Sequence, residues 1–243
     1  MKGKEVEVHV KEILQGVAIH PAVIFAGVFM AIVMLVTGCA FGRKNIHLET
    51  KFGETPYTVS VKDNNLLVVI DKVEDVRRFS TDNGLTAPSV GLSCVLTRLD
   101  DSDASKARLV GRVGNGWGLP CGDVIASNMT VADHVRKIVE QAFADAGFVV
   151  ISPGRADEYN VIHVSVAINN FWGWMAYVFG ASASISLRLE RGGTANSISA
   201  QATNSSVAMM GSAGEWTSLF VENAEQIRIN LASQLRPMVE KYR

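Results

Sequence analysis

The sequence predicts an α+β fold, in which a small antiparallel-rich mixed sheet carries two main helices packed on one face and follows a signal or anchor helix. Two segments place apolar residues at the spacing of an amphipathic helix, and several β-rich segments lie between turn residues. A further segment near the N-terminus is apolar and uncharged. Together these segments indicate a mixed domain behind an apolar leader.

The apolar leader ends in a lipidation motif. Sixteen uncharged residues, 22–37, lead directly into Gly38-Cys39. A short apolar stretch followed by small residues is typical of an export signal. The order Val36, Thr37, Gly38, Cys39 resembles the lipobox of bacterial lipoproteins, which implies cleavage after Gly38 and a covalent lipid on Cys39. Each buried acyl CH2 contributes about 0.8 kcal/mol, so two or three chains hold a domain on a bilayer.

A single membrane span is the alternative for this segment. With Ala18 and Ile19 the run approaches the roughly twenty residues that a span needs, although His20-Pro21 interrupts it. The preceding charges cancel, whereas export signals normally begin with a net positive segment. Those charges are Lys2, Lys4 and Lys11 against Glu5, Glu7 and Glu12. A cytoplasmic stub and a start site placed too far upstream both explain this balance.

The predicted domain plan follows from the motif. Residues 1–38 are a lipoprotein signal peptide, 39–62 are the lipidated N-terminus and a polar tether, and 63–243 are a periplasmic α+β domain with an insertion at 77–106. The net charge of −1 provides no basic field of the kind that binds nucleic acid. We therefore expect a membrane partner through the lipid, and no nucleic-acid partner.

Two of the three cysteines are candidates for a disulfide. If Cys39 is acylated, Cys94 and Cys121 form an even pair in a compartment where disulfides persist. The bond would close a loop of about 27 residues and add roughly 3 to 4 kcal/mol. Two free thiols are the alternative. Neither cysteine has a second Cys or a His at ligand spacing, so no metal site is predicted.

Strands are predicted where Val, Ile and aromatic residues concentrate between turn signals. The predicted strands are 66–70 with a continuation to Val76, 107–113, 148–151, 159–168, and the hairpin 176–190 and 196–209 around Gly192-Gly193. Residues 57–61 and 90–99 are weaker strand candidates. The glycine-rich segment 111–118 predicts a tight turn at Asn115-Gly116 rather than a phosphate loop, because no helix begins until about Thr130.

Two helices are predicted, over 131–146 and about 218–242. In the first, the apolar residues share one face, Thr130 and Asp133 approximate a capping box, and Gly147 is well placed at C′. In the second, Pro237 is expected to kink or end the helix because it removes a backbone donor.

An aromatic cluster is the most unusual local composition after residue 38. Residues 169–174 are predicted to turn the chain, and the cluster comprises Phe171, Trp172, Trp174, Tyr177 and Phe179. Trp and Tyr at a hairpin tip suit a binding surface, a ligand cleft or a membrane interface. The alternative is a hydrophobic layer packed between the sheet and the helices.

No catalytic residue is predicted. Serines are abundant, but no Gly-x-Ser-x-Gly elbow occurs. Asp71 and Asp75 share one face of a predicted strand and are expected to be solvated, with Arg77 and Arg78 as pairing partners. His163 is expected to be a packed or half-exposed side chain. The chain is therefore predicted not to be an enzyme and to need no cofactor besides the lipid on Cys39.

Several segments together resemble the YajG-like family of uncharacterised bacterial lipoproteins. They are the lipobox, the strand 68–71, Asp75-Val76-Arg77-Arg78, 110–116, the passage Ala146-Gly147-Phe148-Val149-Val150, and Ala156-Asp157. Such proteins are similar to auxiliary lipoproteins of ABC-type envelope transport systems and to the N-terminal domain of TolB. The resemblance implies helices on one face of a small sheet, and no catalytic residues.

Three functions are weighed on this basis. The first is an outer-membrane lipoprotein that binds or assembles with an envelope protein in the periplasm, since Ala40 after the lipidated cysteine favours outer-membrane sorting in such proteins. The alternative is a lipid- or small-ligand-binding auxiliary lipoprotein, with Trp172 and Trp174 at the mouth of a cleft. An inner-membrane protein with one N-terminal span is the alternative location. An envelope hydrolase lacks a convergent polar site.

Overall fold

A computed structural model describes residues 43–52, 66–81, 84–90, 102–114, 120–154, 160–175, 178–206 and 211–242. In these ranges the chain forms eight strands and three helices. In chain order they are β1 (Lys44–Ile46), β2 (Leu67–Asp75), α1 (Asp103–Lys106), β3 (Leu109–Gly114), β4 (Pro120–Ala126), α2 (Val131–Ala146), β5 (Val149–Val150), β6 (Ile162–Met175), β7 (Phe179–Arg191), β8 (Thr194–Ser206) and α3 (Ala213–Tyr242).

The long strand β6 organises the sheet. On one side it pairs with β7 in antiparallel fashion, from His163–Glu190 to Met175–Phe179, and β7 pairs with β8 along its whole length. On the other side β6 pairs in parallel first with β2 and then with β3. The order β1-β4-β3-β6-β2-β5 completes the sheet. The predicted fold class, a mixed sheet with two main helices on one face, is confirmed.

Helix α2 is determined by local sequence. The Thr130 hydroxyl accepts a hydrogen bond from the Asp133 amide, and the Asp133 carboxylate accepts one from the Thr130 amide, which completes the predicted capping box. Gly147 ends the helix at φ 99°, a left-handed conformation that favours glycine. The apolar face of α2 packs together with α3 against the sheet in one continuous core. Arg228 of α3 pairs with Asp145 of α2.

Helix α3 covers the outer edge of β8. The amides of Asn230 and Gln234, one helical turn apart, donate hydrogen bonds to the carbonyls of Gln201 (3.0 Å) and Ser199 (2.8 Å). These carbonyls belong to a sheet edge that would otherwise present unpaired acceptors to another chain. The helix begins at Ala213, earlier than predicted, and Pro237 does not end it, since helical structure continues to Tyr242.

The predicted turn at 169–174 is wrong, because these residues continue β6. A register shift between Ile168 and Asn170 marks an irregularity in the strand, and beyond it β6 gains β3 as a new parallel partner. Gly111 of β3 faces Gly173 of β6, where a Cβ on Gly111 would clash with the Gly173 carbonyl. A Cβ on Gly173 would lie 2.5 Å from the Trp216 ring. Glycine is therefore needed at both positions for this close approach.

Two strands were not predicted. Lys44–Ile46 lies in the range predicted as a tether, but it forms β1 against β4, and Ile46 and Leu48 are buried. Strand β4 contains Gly122 and Asp123, residues depleted in strands, and it is stabilised by antiparallel pairing with β3. The strand candidate 57–61, most of 90–99 and the turn at Asn115-Gly116 lie outside the described residues.

Arg77 holds together the point where β6 exchanges β2 for β3. Its side chain is fully buried, and its guanidinium contacts both Asp75 carboxylate oxygens at 2.8 and 2.6 Å. The same group donates to the carbonyls of Lys106 (2.9 Å), Leu109 (2.8 Å) and Phe171 (2.9 Å). One side chain thus satisfies acceptors on four elements, β2, α1, β3 and β6, and the predicted Arg77–Asp75 pairing is confirmed.

Candidate binding face of the sheet

The face of β6, β7 and β8 that points away from the helices carries small polar side chains. Alternate residues of each strand turn Val, Ile and Leu toward the helices and polar groups to the other side. We call this surface the open face. Its central members, in cross-strand rows, are Ala167, Asn170, Ser182, Ser184, Ser186, Ser199, Gln201 and Thr203, and in the next row Ser165 and Ser197 flank Arg188.

Hydrogen bonds across the strands order part of the open face. Asn169 donates to the Ser186 hydroxyl at 2.8 Å, and Asn170 donates to the Ser182 hydroxyl at 2.6 Å. The three cross-strand rows that begin at Ala167, Asn170 and Trp172 of β6 contain no Asp, Glu, Lys or Arg. At the centre of the open face, the strands themselves thus present uncharged hydroxyl and amide groups.

Charged side chains gather at one end of the open face, around a shallow depression of about 510 Å³. Lys72 pairs with Glu74 at 3.0 Å, and Arg188 pairs with Glu190. Next to them His163 Nδ1 lies 3.1 Å from Asp71 Oδ2, with both side chains about half exposed at 47% and 41%. This exposed mixture of cations and carboxylates gives the open face a charged end.

At the opposite end of the open face lies Trp174. Its indole covers Gly180 so closely that a Cβ there would come within 2.6 Å of the ring. Trp174 stays partly exposed, and it packs beside a small second cluster formed by Val90, Leu109 and Trp172. An aromatic platform next to hydroxyl and amide groups is typical of recognition surfaces.

The predicted aromatic cluster is divided by the structure. Phe171, Trp172 and Phe179 are only 1%, 0% and 2% exposed, so their side chains lie inside the protein. Phe171 and Phe179 belong to the core between the sheet and the helices, whereas Trp172 lies in a separate cluster with Val90 and Leu109. Phe171 stacks on Phe220 of α3 with centroids 5.1 Å apart, and Trp172 donates its indole N–H to the Leu85 carbonyl at 2.8 Å. Tyr177 lies outside the described residues. Of the described members, only Trp174 offers a partly exposed ring to a partner.

A buried ion pair joins strands β3 and β4. Arg112 of β3 is fully buried, and its Nε lies 3.0 Å from Asp123 Oδ1 of β4. The same guanidinium donates to the Ser89 hydroxyl at 3.3 Å. Cys121 is buried and disulfide-bonded. Its predicted partner Cys94 lies outside the described residues, and the Cys94–Cys121 pairing stays a prediction.

The lipidation motif is not described by the structure. Val36, Thr37, Gly38 and Cys39 lie outside the described residues, as does the rest of the predicted signal segment. Among the helices that are described, none has an apolar stretch long enough to span a bilayer. In the same part of the chain, no three His, Cys, Asp or Glu side chains come together as a metal-binding group.

Sequence reasoning found the components of the open face but not the face itself. The alternation of Ser184, Ser186 and Arg188 with Ile185 and Leu187 was visible in β7. The pairing of His163 with Asp71 was not, because these residues lie 92 positions apart and meet only through the β2–β6 register. The matching alternation in β8 is the signal that could have indicated a continuous polar face.

Comparison with known proteins gives only distant structural likenesses. No protein-family model and no curated protein matches the sequence. An uncharacterised protein of known structure aligns with 83% of this chain and 99% of its own at 10% identity and a TM-score of 0.41. A Xanthomonas campestris protein described by the family model DUF330 aligns with 81% of this chain and 92% of its own at 12% identity and a TM-score of 0.39.

A third similar structure is a candidate lipoprotein from Caulobacter crescentus. It aligns with 40% of this chain and 80% of its own at 14% identity, with a TM-score of 0.25. None of these three descriptions names the YajG-like family, so that resemblance remains a prediction from the sequence. At such scores the likenesses carry no argument about function.

Proposed function

We propose that this chain is a lipid-anchored lipoprotein of the bacterial envelope, and that it acts without catalysis by binding an envelope protein on the open face. The observation that carries the proposal is the motif Val36-Thr37-Gly38-Cys39 directly after sixteen uncharged residues. An acylated Cys39 holds the folded domain at a membrane surface. Ala40 supports the outer membrane as the location.

Two features of the open face support its role in binding. The hydroxyl and amide groups at its centre are partly or fully exposed on three continuously paired strands, and an ordered surface loses less entropy on association than a disordered one. The charged end around Lys72, Glu74 and Arg188 can fix the orientation of the partner, because rim charges steer encounter and register more than they add affinity.

A site-specific photocrosslinker tests the role of the open face. With benzoylphenylalanine in place of Ser199, which is exposed on β8, irradiation of intact cells is expected to give one discrete adduct with a single envelope protein. Ser218, an exposed serine on α3, is the matched control, and the same replacement there should give no such adduct. The binding proposal fails if both positions give the same adducts, or if Ser199 gives none in a folded, membrane-bound chain.

A further inference from the structure

The described elements place several chain ends together at one end of the sheet, which we call the β6–β7 end. Strands β3 and β6 finish there and β4 and β7 begin there, as the pairs Gly114–Pro120 and Met175–Phe179 show. Gly211, just before α3, contacts Met175 at the same end. The opposite end carries the turn between Arg191 and Thr194, and we call it the β7–β8 end.

The chain enters the sheet from the β6–β7 end. Lys44, the first residue of β1, lies in one row with Val124, Gly111 and Gly173. Strand β1 is parallel to β4, which runs away from the β6–β7 end. The residue before Lys44 therefore points toward that end.

The length of chain between the proposed lipid and β1 is short. Four residues lie between Cys39 and Lys44. An extended chain spans at most about 3.6 Å per residue, so the five steps from Cys39 to Lys44 reach no farther than roughly 18 Å. Strand β7 has 13 residues, and at about 3.3 Å per residue the β7–β8 end lies about 40 Å from the β6–β7 end. The anchor thus favours the β6–β7 end over the β7–β8 end.

The distribution of charge favours the same end. The sequence has no Asp, Glu, Lys or Arg from 169 through 187 or from 200 through 214, the ranges that contain the β6–β7 halves of β6, β7 and β8. Arg188, Glu190 and Arg191 lie toward the β7–β8 end of β7. Val178, directly before β7, is 47% exposed, and the partly exposed Trp174 lies nearby on β6. Apolar and Trp side chains without charges suit the headgroup layer of a bilayer. Exposed Arg43, beside the anchor, suits lipid phosphates.

We propose that the β6–β7 end rests on the bilayer that holds the Cys39 lipid. Strands β6, β7 and β8 then run at a steep angle to the membrane plane. This orientation rests on the proposed anchoring. It places the open face sideways, parallel to the membrane normal, where a partner in the same membrane can reach it. The charged end, with Lys72, Arg188 and Glu190, then lies farthest from the lipid.

Fluorescence depth measurement tests the orientation in the full lipidated chain. Val178→Cys and Thr194→Cys, both at exposed positions, are labelled with an environment-sensitive fluorophore, with an equally treated parent chain as the background for native thiols. The proteins are reconstituted in vesicles of phosphatidylethanolamine and phosphatidylglycerol. Headgroup-nitroxide lipid is expected to quench the label at position 178 several-fold more than the label at 194, and only the label at 178 should shift to the blue.

The other outcomes separate the orientation from the anchoring. Equal quenching at both positions, or quenching at neither in vesicle-bound protein, overturns the orientation and leaves the anchoring intact. If Cys39→Ala floats with vesicles and its label at position 178 is still quenched, acylation is overturned as the anchor. The orientation then stands, with an N-terminal span as the anchor. Wild-type protein that does not float with vesicles overturns both.

Discussion

Replacement of Arg77 by methionine is expected to lower the free energy of unfolding by about 3 to 5 kcal/mol, because three carbonyl acceptors lose their donor and each buried acceptor left unsatisfied costs roughly 1 to 3 kcal/mol. The change leaves the Asp75 carboxylate without its guanidinium. It also leaves the carbonyls of Lys106, Leu109 and Phe171 without the donors seen in the structure. Such acceptors lose their water without a replacement hydrogen bond. Urea denaturation at neutral pH measures the difference.

The adjacent arginine provides a matched control. Arg78 is exposed, and Arg78→Met should change stability by less than about 0.5 kcal/mol, as most surface substitutions do. Arg77→Lys should remain clearly destabilised, because an ammonium has three donors and cannot reproduce five planar ones. Equal stability of the Arg77→Met and Arg78→Met variants would show that the point where β6 exchanges β2 for β3 does not depend on Arg77.

Acid is expected to destabilise the protein through His134. This side chain of α2 is fully buried against Phe171, with ring centroids 5.7 Å apart, and neither ring nitrogen has a hydrogen-bond partner among the described residues. Burial, and secondarily the nearby Lys137 charge, lowers the pKa of His134 from 6.5 to about 4. The imidazole is therefore neutral in the folded protein at physiological pH.

The sign of the pH dependence follows from these two pKa values. Between pH 6.5 and about 4 the unfolded chain binds a proton on this residue and the folded chain does not, so the stability falls as the pH falls through that window. The loss reaches about 3 kcal/mol below the folded pKa, at 1.36 kcal/mol for each unit of difference. Above pH 6.5 this contribution to the pH dependence vanishes.

A substitution isolates the His134 contribution. His134→Leu should remove the acid-dependent loss and should be at least as stable as the parent at pH 7, because two unpaired buried nitrogens disappear. His47→Gln, at an exposed position, should keep the parent pH profile. Denaturation curves from pH 7 to pH 4 give the comparison. A parent-like slope in His134→Leu would rule out this residue as the source.

Local sequence was enough to predict the parts of the fold that depend on local interactions. Helix α2 was predicted with its bounds, its Thr130–Asp133 capping box and its Gly147 end, since all of these act within one turn of the helix. The Gly192-Gly193 turn between β7 and β8 was predicted for the same reason, and both glycines have positive φ angles, 55° and 81°.

Features that depend on distant partners were missed. The chain from 169 to 174 looked like a turn because Asn, Gly and Trp interrupt its pattern, and it stays a strand because it pairs with β7 on one side and with β3 on the other. Arg77 was matched with Asp75, two residues away, but its contacts with the Leu109 and Phe171 carbonyls span 32 and 94 positions. Strand β1 has only three residues, too few for a periodic signal.

Acylation of Cys39 is the central claim, and metabolic labelling with a palmitate analogue tests it most directly. The parent chain should carry the label and sediment with membranes, and Cys39→Ala should lose both. Cys94→Ala, a matched change at another cysteine, should keep the label, because the lipobox identifies Cys39 alone. Full labelling of Cys39→Ala would contradict the account.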